Sequence, residues 1–398
     1  MALGKAPHGA AIGVVSAGLK GGGRKIKYRL LVSPGDADRE GVNESGTMPY
    51  HQRRRRSPPV IAVYWRIARC VNRNRPTILT DNRPMPLLIP FLLATTLSQP
   101  DLAFTRPAKP YVILSRGDIE AVVVTNEAVN DAILPNHKAG YSGVAKLTHK
   151  RRRENLFVPG IAGLNFEHIL DGAIPPDRKA QFEPRNHPME LRLINRHAAE
   201  LCQSPTFLHQ LESCQRYELL PDGVLQLTIE IRARERSFRN GYIGLFWASY
   251  IHQPESLDIF LRTKDGWTRG ATPAHGTLST HPGVNDTRQF PHDSPFPLTL
   301  VHSLSNHRFT EPWYYGVSHG MAYVQMFRER DQVRLTQSPS GGGAGNPAWD
   351  FQYAVQNYEP GKIYTFVMRA AYLPTTDPAK IERATRKHRA ALNPPSGK

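Results

Sequence analysis

Four stretches of the chain gather histidine, aromatic, amide and carboxylate side chains: GLNFEHILDG (163–172), EPRNHPMEL (183–191), LFWASYIHQPES (245–256) and EPWYYGVSHGMAYVQMF (311–327). This mixture suits sugars, because an aromatic ring covers the apolar face of a pyranose while amide, imidazole, guanidinium and carboxylate groups hydrogen-bond its hydroxyls. Trp247, Trp313, Tyr314 and Tyr315 are the candidate platforms, whereas Phe246 and Tyr250 read as core. Asn165, Glu167, His168, Arg185 and Asn186 supply the candidate hydroxyl-binding groups. His252 with Glu255, and His319 between Ser318 and Gly320, each close an apolar run beside turn-forming residues, and these three are the candidate catalytic groups. Against each stands a structural role, since large aromatics in β proteins are mostly core and a strand-end histidine is more often a structural hydrogen-bonder.

Interconverting the two anomers of a sugar needs a base for the anomeric hydroxyl proton and an acid for the ring oxygen, on opposite sides of one ring. Were that the chemistry, His252 would be a candidate acid and Glu255, Glu167 or Glu311 a candidate base. Two carboxylates flanking a glycosidic bond would instead serve a hydrolase, and a His and Tyr pair near a uronate would serve a lyase. A non-catalytic glycan-recognition protein would use the same cleft without an opposed acid and base. The chain has no G-x-S-x-G elbow, P-loop or H-E-x-x-H, so α/β-hydrolase, nucleotide-triphosphatase and zincin chemistry have no support. His302, His307 and His319 match no compact ligand spacing, so no metal and no cofactor is expected.

The elements that must position these groups are strands. Runs bounded by turn residues recur at 120–125, 189–194, 217–220, 224–233, 241–252, 257–261, 298–304, 314–326, 333–337, 349–355 and 363–373. In YELLPDGVLQLTIEI, Pro221-Asp222-Gly223 supplies a turn, and Leu225, Leu227, Ile229 and Ile231 alternate with polar residues, which predicts a hairpin with one buried face. Glu359-Pro360-Gly361 separates the last two runs, and Asp377-Pro378 opens a basic stretch to Leu392 with the pattern of a short terminal helix. Many strands and long connections over residues 104–374 predict an all-β fold, a large antiparallel sandwich, followed by a basic tail at 375–398. Cys202 and Cys214 lie symmetrically about Leu208, so a hairpin there would let them bond; two small buried side chains in adjacent strands is the preferred expectation.

Of the net charge of +17, residues 1–84 carry +11 and the remainder +6. That first part holds Gly21 to Gly23, Arg53 to Arg56 and Ser57-Pro58-Pro59 without hydrophobic period, and it is expected to be a disordered basic extension. MPLLIPFLLATTLSQPDLA (85–103) has the form of a secretory signal, so Met85 is a candidate true start and the protein is expected to be secreted or periplasmic from that start. The apolar run is too short to cross a bilayer, so no membrane role beyond export is expected. Because the basic excess lies outside the expected domain, carbohydrate rather than nucleic acid is the expected partner.

The succession of ELRLI, the hairpin ESCQRYELLPDGVLQLTIEIRA, the strand GLFWASYIHQ ending in a histidine, and the closing strands AWDFQYAV and KIYTFVMRAAY resembles the galactose mutarotase-like supersandwich superfamily, and within it uncharacterised secreted bacterial proteins. The resemblance covers about residues 109–373 and implies a β-supersandwich with a sugar-binding cleft. In aldose epimerases of this fold the corresponding strand ends in an Asn-His pair whose histidine is the general acid. The resemblance gives that place to His252, although Ile251 stands where the Asn would be. The family's catalytic Glu has no counterpart in VRLTQSPSGGGAGNPAWDF.

Overall fold

The computed structural model describes residues 103–272, 274, 276–339, 343 and 345–394. The expectations for the basic extension and for nearly all of the signal-like segment lie outside the described residues. In chain order the strands are β1 (Tyr111–Arg116), β2 (Ile119–Val124), β3 (Gly143–His149), β4 (Asn165–Leu170), β5 (Glu190–Asn195), β6 (Ala198–Gln203), β7 (Leu211–Leu219), β8 (Leu225–Ala233) and β9 (Tyr242–Ala248). They continue with β10 (Ile259–Thr263), β11 (Gly266–Gly270), β12 (Thr280–His281), β13 (Trp313–Ser318), β14 (Met321–Phe327), β15 (Arg334–Ser338), β16 (Ala348–Gln356) and β17 (Tyr364–Leu373). Two one-turn helices, α1 (Arg178–Gln181) and α2 (Glu183–Asn186), follow β4, and α3 (Thr299–His302) lies between β12 and β13. The chain closes with α4 (Pro378–Leu392). None of the described helices is long and apolar enough to cross a membrane.

Three antiparallel sheets result: β1-β2-β3, a nine-stranded sheet in the order β11-β10-β13-β14-β17-β8-β7-β6-β5, and a five-stranded sheet in the order β12-β15-β16-β9-β4. The two larger sheets pack as the expected all-β antiparallel sandwich. Leu225, Leu227, Ile229 and Ile231 of β8 meet Trp247 of β9 and Phe351 of β16 in one continuous core. Alternation explains the choice of face, since β7 and β8 bury every second residue throughout their length. Their turn is the expected one: the Gly223 N–H donates to the Leu220 carbonyl at 2.8 Å, and Leu219 pairs with Leu225.

Two runs behave otherwise than their pattern suggested. The stretch 314–326 is two strands, β13 and β14, joined by a tight turn at His319-Gly320. Both turn residues have positive φ, +57° and +70°, the backbone that a two-residue hairpin with native twist requires. The stretch 298–304 is not a strand: Leu298 and Val301, three apart, are both buried, and the residues between wind into α3. Glu359-Pro360-Gly361 joins strands that do not pair with each other, since β16 belongs to the five-stranded sheet and β17 to the nine-stranded one.

The terminal helix forms as its sequence indicates. Asp377 caps it, its Oδ1 accepting from the Ala379 and Lys380 N–H groups, and Pro378 occupies the first turn. Its buried residues include Ile381 and Leu392, which pack against Trp313, Tyr315, Val324, Met326 and Ala371 on the outer side of the nine-stranded sheet. On the five-stranded sheet, the connection from β12 to β13 does the covering: Phe290, Phe296, Leu298 and Val301 pack with Tyr242, Phe246 and Leu170. Both sheets are thereby covered on both sides over much of their area, which is why β4, β9 and β14 are buried at every residue.

Candidate functional site

The site grows out of an irregularity in β4. Asn165 and Phe166 pair with Ala248 and Trp247 of β9, but Phe246 pairs with His168, so Glu167 is an extra residue in the ladder. Such a bulge re-aims side chains. Phe166 stays on the core side, stacked on Trp247 with ring centroids 4.6 Å apart, while His168 meets Phe182 and Phe246 on the other side. Three polar residues of this strand, Asn165, Glu167 and His168, are thus brought into one buried cluster.

Arg185 completes it from α2. Its Nη2 lies 2.8 Å from Glu167 Oε2 and donates to the Tyr250 hydroxyl at 2.9 Å, and the Tyr250 hydroxyl donates to the same carboxylate oxygen at 2.6 Å. The guanidinium lies over the Tyr141 ring at 4.2 Å and the Phe182 ring at 4.8 Å, so its flat faces are covered as well as its edge. His168 Nδ1 lies 2.6 Å from the Gln181 carbonyl, which requires the proton on that nitrogen, and its Nε2 lies 3.4 Å from Glu167 Oε1. Glu167 is almost wholly enclosed. Burial pushes its carboxyl up, but Arg185, His168 and Tyr250 together outweigh that and hold it at about 2, so it is an anion at neutral pH.

A second buried carboxylate has the opposite character. Asp350 of β16 is buried and accepts the Ser249 N–H at 2.8 Å. Burial, with the Glu167 charge adding to it, raises its carboxyl well above the usual range despite that one donor. Burial and charge thus shift the two carboxyls in opposite directions, Glu167 toward its ionised form and Asp350 toward its protonated form. Two polar atoms are buried without a hydrogen-bond partner here, Asn165 Oδ1 and Arg185 Nε. A groove of about 450 Å³ opens against Arg185, lined also by Asn126, Glu127, Gly140, Asn186 and His187.

The three residues singled out for proton transfer meet as a separate cluster at the β13–β14 turn. The His252 and His319 rings lie 6.2 Å apart, and the Glu255 carboxylate accepts the Gly320 N–H of that turn. Burial and the neighbouring His319 lower the His252 imidazole below its usual value, and its Nδ1 is buried without a partner. Both histidines are partly exposed and Glu255 is exposed.

The aromatic candidates lie elsewhere. Trp247 is a core residue, stacked between Phe166 and Phe351 with its indole N–H donated to Gln215 at 2.9 Å. Trp313 and Tyr315 are buried under α4 against Trp267, and Tyr314 is buried in the main core. Glu311 ties α4 down, accepting from Trp313 Nε1 at 2.9 Å and from Arg389 at 2.6 Å. Asn186 closes the α1–α2 turn by donating to the Lys179 and Phe182 carbonyls, with its remaining surface on the groove. The aromatics that do meet the charged cluster are Tyr141, Phe182, Phe246 and Tyr250, and Tyr250, read from sequence as core, is buried with its hydroxyl on Glu167. Asp350 was visible in principle as a carboxylate embedded in the apolar run AWDFQY.

No protein-family model matches the chain, and no curated protein matches it. Among solved structures it is similar to a galactose mutarotase related enzyme from Lactobacillus acidophilus, with 8% identity, 67% of this chain and 98% of that one covered, and a TM-score of 0.40. It is also similar to the Slr1438 protein of Synechocystis sp. PCC 6803, at 14% identity over 68% of this chain and 98% of that one, with a TM-score of 0.39. A third is an α-N-acetylgalactosaminidase from Bifidobacterium bifidum, at 9% identity over 70% of this chain and 38% of that one, with a TM-score of 0.41. At scores of this size the alignments give no residue of this chain a role.

Proposed function

We propose that this is a carbohydrate-active protein that binds a sugar in the groove lined by Asn126, Glu127, Arg185, Asn186 and His187, with Arg185 held in place by Glu167 and Tyr250. The observation that carries this reading is the seating of Arg185, a groove-lining residue whose guanidinium is fixed by Glu167 and the Tyr250 hydroxyl and lies over the Tyr141 ring. The groove is of the size that accommodates a small ligand. Because the Glu167 and Arg185 charges cancel, the cluster favours an uncharged sugar over a uronate.

A second reading is recognition without catalysis. It is favoured by the saturation of Glu167, whose oxygens already face Arg185, Tyr250, Asn165 and His168 and so orient rather than react. Export from Met85 belongs to either reading, and the Cys202–Cys214 bond of this structure supports it, because such bonds persist in oxidising compartments.

Proton NMR on the protein mixed with a panel of aldoses and uronates tests the proposal. Saturation transfer to neutral aldoses, together with anomeric exchange faster than in buffer and lost on Arg185→Lys, would establish a mutarotase-like isomerase. Transfer without faster exchange would favour recognition. Absence of transfer to every neutral sugar would overturn the assignment of the groove.

A further inference from the structure

The sheet register sets up a second site on the outward positions of β6 and β7 in the nine-stranded sheet. Cys202 of β6 and Cys214 of β7 are directly opposed, with Cα atoms 4.0 Å apart, and they are joined as a disulfide, not left as the two small buried thiols expected from sequence. Both are only partly buried, because they occupy the outward positions of strands that alternate. Along the same crosswise row, β5 places Glu190 opposite Cys202 and β8 places Glu230 opposite Cys214. Glu190 is engaged by Arg106 and Arg192. Glu200, one outward position along β6, has Oε2 3.9 Å from Cys214 Sγ, while its Oε1 lies 3.9 Å from Arg216 Nη1. The ligand atoms of Glu200, Cys202 and Cys214 all lie within 4.8 Å of one another.

We propose that these residues form a redox-gated site for a thiophilic divalent cation of the Zn²⁺ class, closed when the cysteines are bonded and open when they are reduced. Two thiolates and a carboxylate are a borderline-soft donor set, and bonds of about 2.3 Å to sulfur and about 2.0–2.2 Å to oxygen span the separations found here after the sulfurs part. Glu230 on the neighbouring strand, or water, supplies the fourth position. Arg216 takes the oxygen of Glu200 that faces away from the sulfur, which orients the other toward the metal as a positioning partner does in built sites. In the opening step a dithiol or phosphine reductant delivers two electrons to the S–S bond, which breaks. Two protons complete two thiols while the reductant becomes its own disulfide or phosphine oxide. The incoming cation then displaces both thiol protons.

The test uses the full chain in a Cys70→Ser background, so that the third cysteine contributes nothing. Reduced protein titrated with Co²⁺ is expected to bind one equivalent with a near-ultraviolet thiolate-to-cobalt charge-transfer band, bleached by Zn²⁺ and absent from the oxidised protein. Glu200→Gln is expected to weaken Zn²⁺ binding at least about tenfold, and Arg216→Gln about tenfold with the band retained. Bound Zn²⁺ is expected to slow alkylation of both thiols. Failure of reductant to release two thiols from the folded protein, no band on reduction, or a band surviving in Cys214→Ser would each overturn the proposal. Should Cys214→Ser not fold, Glu200→Gln leaving Zn²⁺ affinity unchanged would overturn the carboxylate's part.

Discussion

Replacing Arg185 by Met keeps the side-chain volume and the packing against Tyr141 and Phe182 but leaves Glu167 enclosed without its countercharge. The cost follows from the ionisation of that carboxyl. Glu167 is drawn from its ordinary 4.5 to about 2, a shift worth about 3 kcal/mol in favour of the ionised fold, at about 1.4 kcal/mol per unit. The result agrees with the roughly 3–5 kcal/mol lost when one partner of a buried pair is removed. The pH dependence has a definite sign. With the folded pKa below the unfolded one, the contribution is fully present above about 4.5 and is lost as the pH falls through about 2. Urea unfolding followed by tryptophan fluorescence should show Arg185→Met destabilised by about 3–5 kcal/mol near pH 7, with the deficit shrinking toward about pH 3. The double variant Glu167→Gln with Arg185→Met should recover most of the loss, since no buried charge then remains. A deficit under about 1 kcal/mol near pH 7, or a double variant no more stable than the single one, would refute the view of Glu167 as a buried anion held by Arg185.

Asp350→Asn should gain stability relative to the native chain as pH rises above the ordinary Asp value of 3.8, because the native carboxyl must keep its proton to stay folded and Asn has none to lose. The slope of that difference is at most about 1.4 kcal/mol per pH unit, and parallel unfolding curves for the two proteins at several pH values would count against the neutral carboxyl. Ile381→Ala, which hollows the contact of α4 with the nine-stranded sheet, should cost about 2–4 kcal/mol in urea unfolding without changing saturation transfer to any sugar.

Where the structure could be read from the chain, a local rule and the long-range packing agreed. The β7–β8 hairpin carries strict alternation and a Pro-Asp-Gly turn, and α4 carries its cap and its Pro at the start, so both were legible. β4 was not recognised as a strand although its residues were singled out, because the bulge at Glu167 breaks the two-residue period and the covered sheet buries both faces. Tyr250 and Asp350 were missed for a related reason: what makes them part of a polar cluster is the covering of the five-stranded sheet by distant segments, which leaves no period in the sequence. Residue type alone did not separate Trp247, stacked in the core, from a ring available to ligand. The bonding of Cys202 to Cys214 depended on register, which the outward alternation of β6 and β7 fixes only once their partners are known.

The position of β17 bears on how the molecule can be made. It is the last strand in the chain, yet it sits inside the nine-stranded sheet, between β14 and β8. A ribosome that has delivered everything as far as β16 has therefore produced two unjoined pieces, β5 to β8 and β10 to β14, each with an open edge bearing unpaired backbone groups. Only when residues 364–373 emerge can that gap be bridged, with Ala370 reaching back to Leu225. Nascent chains stalled before that point are the ones that need chaperone protection against edge-to-edge association, and a split-protein or circularly permuted version would do best to bring this strand in early.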